Sequence, residues 1–270
     1  MTYFGFLVRF LVVPIVILLL LHLWDRRRGM KYPPTLRGWS PFGVLGILIV
    51  IALLYTTPWD NYLVATGVWW YDPARVAGIT LGWVPLEEYL FFLLQPIMVG
   101  LWALLLARRL PRVQPISGSA AGSVTLRTGI ILTVVWLWIV SVAILIAEWQ
   151  PGKYLGLELA WALPPIILQL SFGLDTLIQH RRLVLLTIIP ATLYLAVTDS
   201  LAIASGIWTI QPAQSLGVML GQLPVEEFVF FLLTTMLVTF GLVLGMAAKS
   251  RSDVRLLLLS RGRDTHTLLS

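Results

Sequence analysis

Six carboxylic side chains stand in two matched sets in an otherwise oily chain: Asp60, Glu87 and Glu88, and then Asp199, Glu226 and Glu227, each 139 positions from its counterpart. The same offset carries Gly67 to Gly206, Trp69 to Trp208, Gly82 to Gly221, Pro85 to Pro224, Phe91 to Phe230 and Phe92 to Phe231. The register holds through a whole helix-loop-helix unit, which marks an internal duplication. Carboxyl groups crowded into a poorly hydrated place resist ionising together, so one can serve as general acid while an ionised neighbour serves as base. Aromatic faces beside them stabilise a carbocation that has no hydrogen bonds to make. Together they suit protonation of a carbon–carbon double bond in a lipid-soluble substrate, with the six acids as catalytic candidates. Trp69, Trp70, Phe91, Phe92, Trp208, Phe230 and Phe231 are the substrate-binding candidates.

Each of these residues also has a plainer reading. Proline suits the first helical position, and acids in a first turn favour the helix macrodipole by about a few tenths of a kcal/mol. A generic first-turn acid, however, need not be Glu-Glu, follow proline or precede Phe-Phe, and here all three recur in register. Tryptophan and tyrosine gather at membrane interfaces because their rings are amphipathic, which accounts for most of the Trp and Tyr residues around the acids. The aspartates resist such a reading. Asp199 lies 16 residues beyond Leu183, about 24 Å along a helix and still within hydrocarbon depth. An ionisable group there points to function, with helix–helix hydrogen bonding as the alternative.

The elements that must position these groups are membrane helices. At 270 residues, 58% hydrophobic and 12% charged, with a mean hydropathy of +0.87, the chain is too apolar for an ordinary soluble globule. Seven apolar segments can be drawn, at 3–24, 42–66, 86–107, 129–147, 156–178, 183–206 and 225–247. The net charge of +6 comes in short clusters between them, a topology signal that speaks against nucleic-acid binding. All 19 Lys and Arg residues except Arg9, Arg75 and Lys153 fall on one side of the alternating segments, predicting an N-terminus outside and a C-terminus in the cytoplasm. Each repeat holds three segments, and the unmatched fourth restores parallel orientation. The predicted fold is therefore an all-α integral membrane protein of two parallel three-helix repeats joined by a linker helix, 3 + 1 + 3. Its expected divisions are a first repeat at 1–107, a linker and connecting helix at 108–150, and a second repeat with a basic tail at 151–270.

Absences narrow the reaction. The chain has no cysteine, which removes thiol catalysis and thiolate metal sites, and its three histidines are isolated. It has no G-x-G-x-x-G dinucleotide fingerprint and no aspartate-rich pair for magnesium diphosphate. Lys249 lies past the last apolar segment, where no retinal Schiff base would form. The expectation is a redox-neutral acid–base reaction with no cofactor and no metal.

The stretch PWDNYLVATGVWWY followed by LGWVPLEEYLFF, repeated as VTDSLAIASGIW and LGQLPVEEFVFF, resembles the carotenoid cyclases of the two-subunit lycopene cyclase type, in fused single-chain form. The resemblance covers roughly residues 40–107 and 181–247. It implies a lycopene cyclase, with β-cyclase the leading reading, that closes linear ends of a C40 carotenoid into six-membered rings. The expected setting is a prokaryotic cytoplasmic membrane, with bilayer and carotenoid as the partners. Relatives acting on C50 carotenoids remain an alternative, as does a 3 + 1 + 3 transporter of a small solute. Trp59-Asp60-Asn61-Tyr62 becomes Thr198-Asp199-Ser200-Leu201 in the second repeat, so unequal roles for the two halves are expected. One composite pocket is expected as well, because parallel repeats can bring both Glu-bearing helix starts to a shared interface at the same depth.

Overall fold

A computed structural model of the protein describes residues 1–111 and 124–250. Residues 112–123, within the expected linker and connecting helix at 108–150, and the basic tail beyond Ser250 lie outside the described residues. Among those described, seven helices are long and apolar enough to cross a membrane. They are α1 (Tyr3–Arg27), α2 (Pro41–Ala65), α3 (Leu86–Arg109), α4 (Val124–Ile146), α5 (Lys153–Gln179), α6 (Arg181–Ala204) and α7 (Val225–Met246). Helix α1 contains a π-helical stretch at Val8–Val12.

Helices α3 and α7 pack against each other at the centre. α3 also packs on α1, α2 and α6, while α7 packs on α5, α6 and α2. Exchanging α1 with α5, α2 with α6 and α3 with α7 leaves this pattern unchanged. Helix α4 packs along α5, and only 6% of its apolar window is buried, against 67% for α3. Lipid is as apolar as leucine, so the helices gain from close backbone approach more than from water exclusion. Accordingly, a Cβ on Gly100 of α3 would strike Leu45 of α2, and one on Gly245 of α7 would strike Val44 of α2.

The two copies of the carboxylate-bearing unit end and restart in the same way. α2 stops at a Schellman cap: Gly67 takes φ 69°, its amide bonds to the Val64 carbonyl at 3.1 Å, and the Val68 amide bonds to that of Leu63 at 2.9 Å. Gly206 closes α6 identically at φ 69°, with Gly206 bonding to Ile203 and Ile207 to Ala202. Only glycine takes this left-handed conformation without a Cβ penalty.

The chain then forms short strands: β1 (Trp69–Tyr71), β2 (Thr80–Leu81) and β3 (Val84–Pro85) in the first copy, β4 (Trp208–Ile210), β5 (Met219–Leu220) and β6 (Leu223–Pro224) in the second. β2–β3 and β5–β6 are hairpins, whereas β1 pairs antiparallel with β4 across the two halves, Trp70 opposite Thr209. Those two positions are themselves counterparts in the duplication, so the ladder is centred on a local two-fold. Two bonds extend it symmetrically, Asp72 amide to Ile207 carbonyl at 3.0 Å and Gln211 amide to Val68 carbonyl at 2.8 Å. Pro85 and Pro224 stand at the N-cap, in extended conformation, rather than at the first helical position. Each is the last residue of a hairpin strand, so its φ serves the strand and its carbonyl starts the helix.

Candidate active site

Because Pro85 is the cap, Glu87 and Glu88 fall at the second and third helical positions, where successive side chains diverge by about 100°. The pair therefore splits. Glu88 turns inward, and its Oε2 accepts the Tyr3 hydroxyl at 2.5 Å and the Tyr71 hydroxyl at 3.0 Å. Glu87 turns toward the loop, where its Oε1 accepts the Ala77 amide at 2.6 Å. The second copy repeats the division. Glu227 accepts the Tyr154 hydroxyl at 2.7 Å, while Glu226 accepts the Leu216 amide at 2.7 Å and the Ser215 hydroxyl at 3.1 Å.

Glu88, Glu227, Asp60 and Asp199 line one small chamber of about 40 Å³. Two of the four acids come from each half, and the chamber sits between α3 and α7 where the halves meet. Asp60 is 1% exposed and Asp199 2% exposed. Neither oxygen of Asp60 has a hydrogen-bond partner, nor has Oδ2 of Asp199.

Aromatic rings form the rest of the wall. Trp59, Trp69, Phe91, Phe92, Trp208, Phe230 and Phe231 face the chamber, together with Tyr3, Tyr71 and Tyr154. Trp59 lies parallel to Trp161, with ring centres 4.5 Å apart, and to Phe230 at 5.9 Å. Trp69 donates its indole N–H to the Tyr71 hydroxyl at 3.1 Å. Burial, reinforced by Asp60 and Glu88, pushes the Tyr71 hydroxyl well above the usual phenol range, so it remains a donor to Glu88. Trp70 is 44% exposed and is absent from the wall; it faces away because strand side chains alternate and Trp69 takes the inward place.

Three groups at the site escape the 139-residue offset. Tyr3 and Tyr154 hold the same relation to Glu88 and Glu227, but they are 151 positions apart. So are Pro14 of α1 and Pro165 of α5. So too are the carbonyls of Phe10 and Trp161 that accept the hydroxyls of Tyr194 and Tyr55. α1 and α5 are thus counterparts, shifted by 12 residues relative to the rest because the α1–α2 connection is longer. Glu158 is the third group. It lies one turn beyond Tyr154 on α5, is 0% exposed and has no partner for either oxygen. Its counterpart position holds Leu7, so the second half carries a carboxyl group that the first lacks. The signal for it was an acid in a membrane-spanning segment, outside both copies of the visible motif.

A model of the lycopene cyclase family matches residues 1–106 and 153–244 of the chain. Among curated proteins, the chain is similar to a lycopene beta-cyclase of Halobacterium salinarum, 37% identical over 200 residues that span 74% of this chain and 81% of that protein. It is also similar to a bifunctional lycopene cyclase/phytoene synthase of Podospora anserina, 34% identical over 207 residues, covering 73% of this chain and 34% of the fungal protein. No solved structure matches it.

Proposed function

The chain belongs to the lycopene cyclase family, and from that premise we propose that it is a lycopene beta-cyclase, a redox-neutral isomerase acting on a carotenoid dissolved in the membrane. The observation that carries the reading is the chamber itself: four carboxyl groups from two halves of the chain, walled by aromatic rings.

The proposed chemistry moves one proton in and one proton out. An unpartnered carboxylate in so dry a place would be an unpaired buried charge, so Asp60 or Asp199 carries a proton and delivers it to the terminal double bond of the substrate. The resulting tertiary cation is attacked by the next suitably placed double bond, which forms the ring bond and moves the positive charge into the ring. Trp59, Phe91, Phe230 and Phe231 line the chamber, and aromatic rings there stabilise that charge. Glu88 and Glu227, whose ionised forms are supported by phenolic donors, take up the proton that leaves the ring carbon as the new double bond forms. Proton return from glutamate to aspartate within the chamber resets the site, with no net change in charge or oxidation state.

The same reading includes the orientation and organisation of the chain. The clustering of Lys and Arg supports an N-terminus outside and a cytoplasmic C-terminus. The interchangeable packing of α1–α3 and α5–α7 supports two parallel repeats joined through α4. The test of function is direct. Purified protein in liposomes loaded with lycopene is expected to convert it to cyclic carotene of unchanged elemental composition, followed by chromatography and mass spectrometry. Recovery of only linear carotenoid from folded protein would overturn the reading.

A further inference from the structure

We propose that the cleft between α2 and α5 holds the linear polyene of the substrate while its end sits in the carboxylate chamber, and that the matching cleft between α1 and α6 does not. The proposal rests on the lycopene cyclase reading and adds to it a binding site for the unreacted part of the molecule.

The chamber, at about 40 Å³, has room for only a few waters at roughly 10–15 Å³ each. Most of a C40 chain must lie elsewhere. A larger cavity of about 260 Å³ adjoins it between α2 and α5, and Phe91, Phe92 and Phe230 belong to the walls of both. This cleft follows α2 from Thr56 back to Leu48. From Asp60 to Leu48 is about 18 Å at 1.5 Å per residue, which gives room along the helix for an extended stretch of a stiff chain. It opens to lipid beside Ile51 and Leu168, which are 54% and 59% exposed. At its junction with the chamber stand the parallel rings of Trp59, Trp161 and Phe230. Flat stacked faces fit a flat conjugated chain better than a flexible acyl tail.

The internal duplication supplies a built-in comparison. A cavity of about 420 Å³ lies between α1 and α6, lined by Pro14, Ile17, Pro190, Ala191 and Tyr194. These are the counterparts of Pro165, Leu168, Ile51, Ala52 and Tyr55 in the α2–α5 cleft. Yet the α1–α6 cavity shares no wall residue with the chamber. Of the three stacked rings at the junction of cleft and chamber, two have changed on the other side: Trp59 corresponds to Thr198 and Trp161 to Phe10. Size would favour the α1–α6 cavity, but continuity favours the α2–α5 cleft, and only continuity lets a polyene reach the acids.

Paired variants test this. Ala52→Phe with Leu168→Trp should fill the α2–α5 cleft and lower the rate of lycopene conversion at least tenfold. Ala191→Phe with Ile17→Trp, at the counterpart positions, should leave it within about twofold of wild type. Equal effects of the two pairs, or no effect of the first, would overturn the proposal. Because the chain has no cysteine, Ala52→Cys and Ala191→Cys each give a single thiol for alkylation by an apolar maleimide in lipid. Lycopene is expected to slow alkylation at position 52 and not at position 191. Protection at both positions or neither sinks the proposal, as does full protection at 52 by bilayer lipid with lycopene adding nothing. Failure of wild-type protein to cyclise lycopene would instead count against the underlying function, so the two failures are distinguishable.

Discussion

Glu87 and Glu88 are neighbours in sequence and opposites in role, and the same holds for Glu226 and Glu227. One of each pair faces the chamber, the other ties down the loop that precedes its helix. Glu88→Gln or Glu227→Gln should lower the cyclisation rate by about 10² or more, the scale of a lost acid or base, while leaving thermal unfolding in detergent almost unchanged. Glu87→Ala and Glu226→Ala should do the reverse, because each strands a loop amide at a cost of about 1–3 kcal/mol; a lower melting temperature with most activity kept in the folded fraction is the expected result. Tyr154→Phe removes the phenolic donor to Glu227. A hydrogen bond to a charged group contributes about 1.5–3 kcal/mol, so the rate should fall roughly 10- to 100-fold. Comparison of Glu158→Gln with wild type, read by the same assay, reveals whether the extra carboxyl group of the second half takes part.

At the scale of elements, the glycine caps fix where each strand leaves its helix and hence where Trp69 and Trp208 point. A Cβ at Gly67 would meet nothing within 4 Å, so Gly67→Ala isolates backbone strain at φ 69°. It is expected to cost about 1–2 kcal/mol, measured as a lower unfolding midpoint. The seven helices were legible in the sequence to within a few residues, because about 20 apolar residues are a bilayer's own signature. The duplicated loops and acids were legible too, since they share one offset. The pairing of Tyr3 with Tyr154 was not: a longer connection after α1 shifts that helix by 12 positions, and a search at a fixed offset misses it. The strands were equally hidden, because three residues such as Trp69–Tyr71 show too little alternation to separate from a loop. The pairing of β1 with β4 across the halves depends on a partner more than a hundred residues away.

At the scale of the whole molecule, reporter fusions after residues 120 and 149 are expected to report cytoplasm and exterior respectively, and the same compartment for both would refute the proposed orientation. Asp60 and Glu88 of one half and Asp199 and Glu227 of the other line one chamber, so Glu88→Gln alone and Glu227→Gln alone should each suppress closure at both ends of the substrate. The single chamber also bears on timing. A linear carotenoid presents two alike ends to the one set of acids that the described residues gather around the chamber, so two closures there are expected to occur in turn, the first ring withdrawing before the second end arrives. The expected course is distributive: the half-closed molecule returns to the bilayer, turns end for end, and competes with fresh substrate for its second visit. A pulse of labelled lycopene followed by an unlabelled excess should leave label stranded in the one-ringed species, in proportion to the excess. On that course the lipid around the protein is the waiting room of the reaction, and the ratio of one-ringed to two-ringed product is expected to respond to crowding in the membrane as well as to the rate of ring closure.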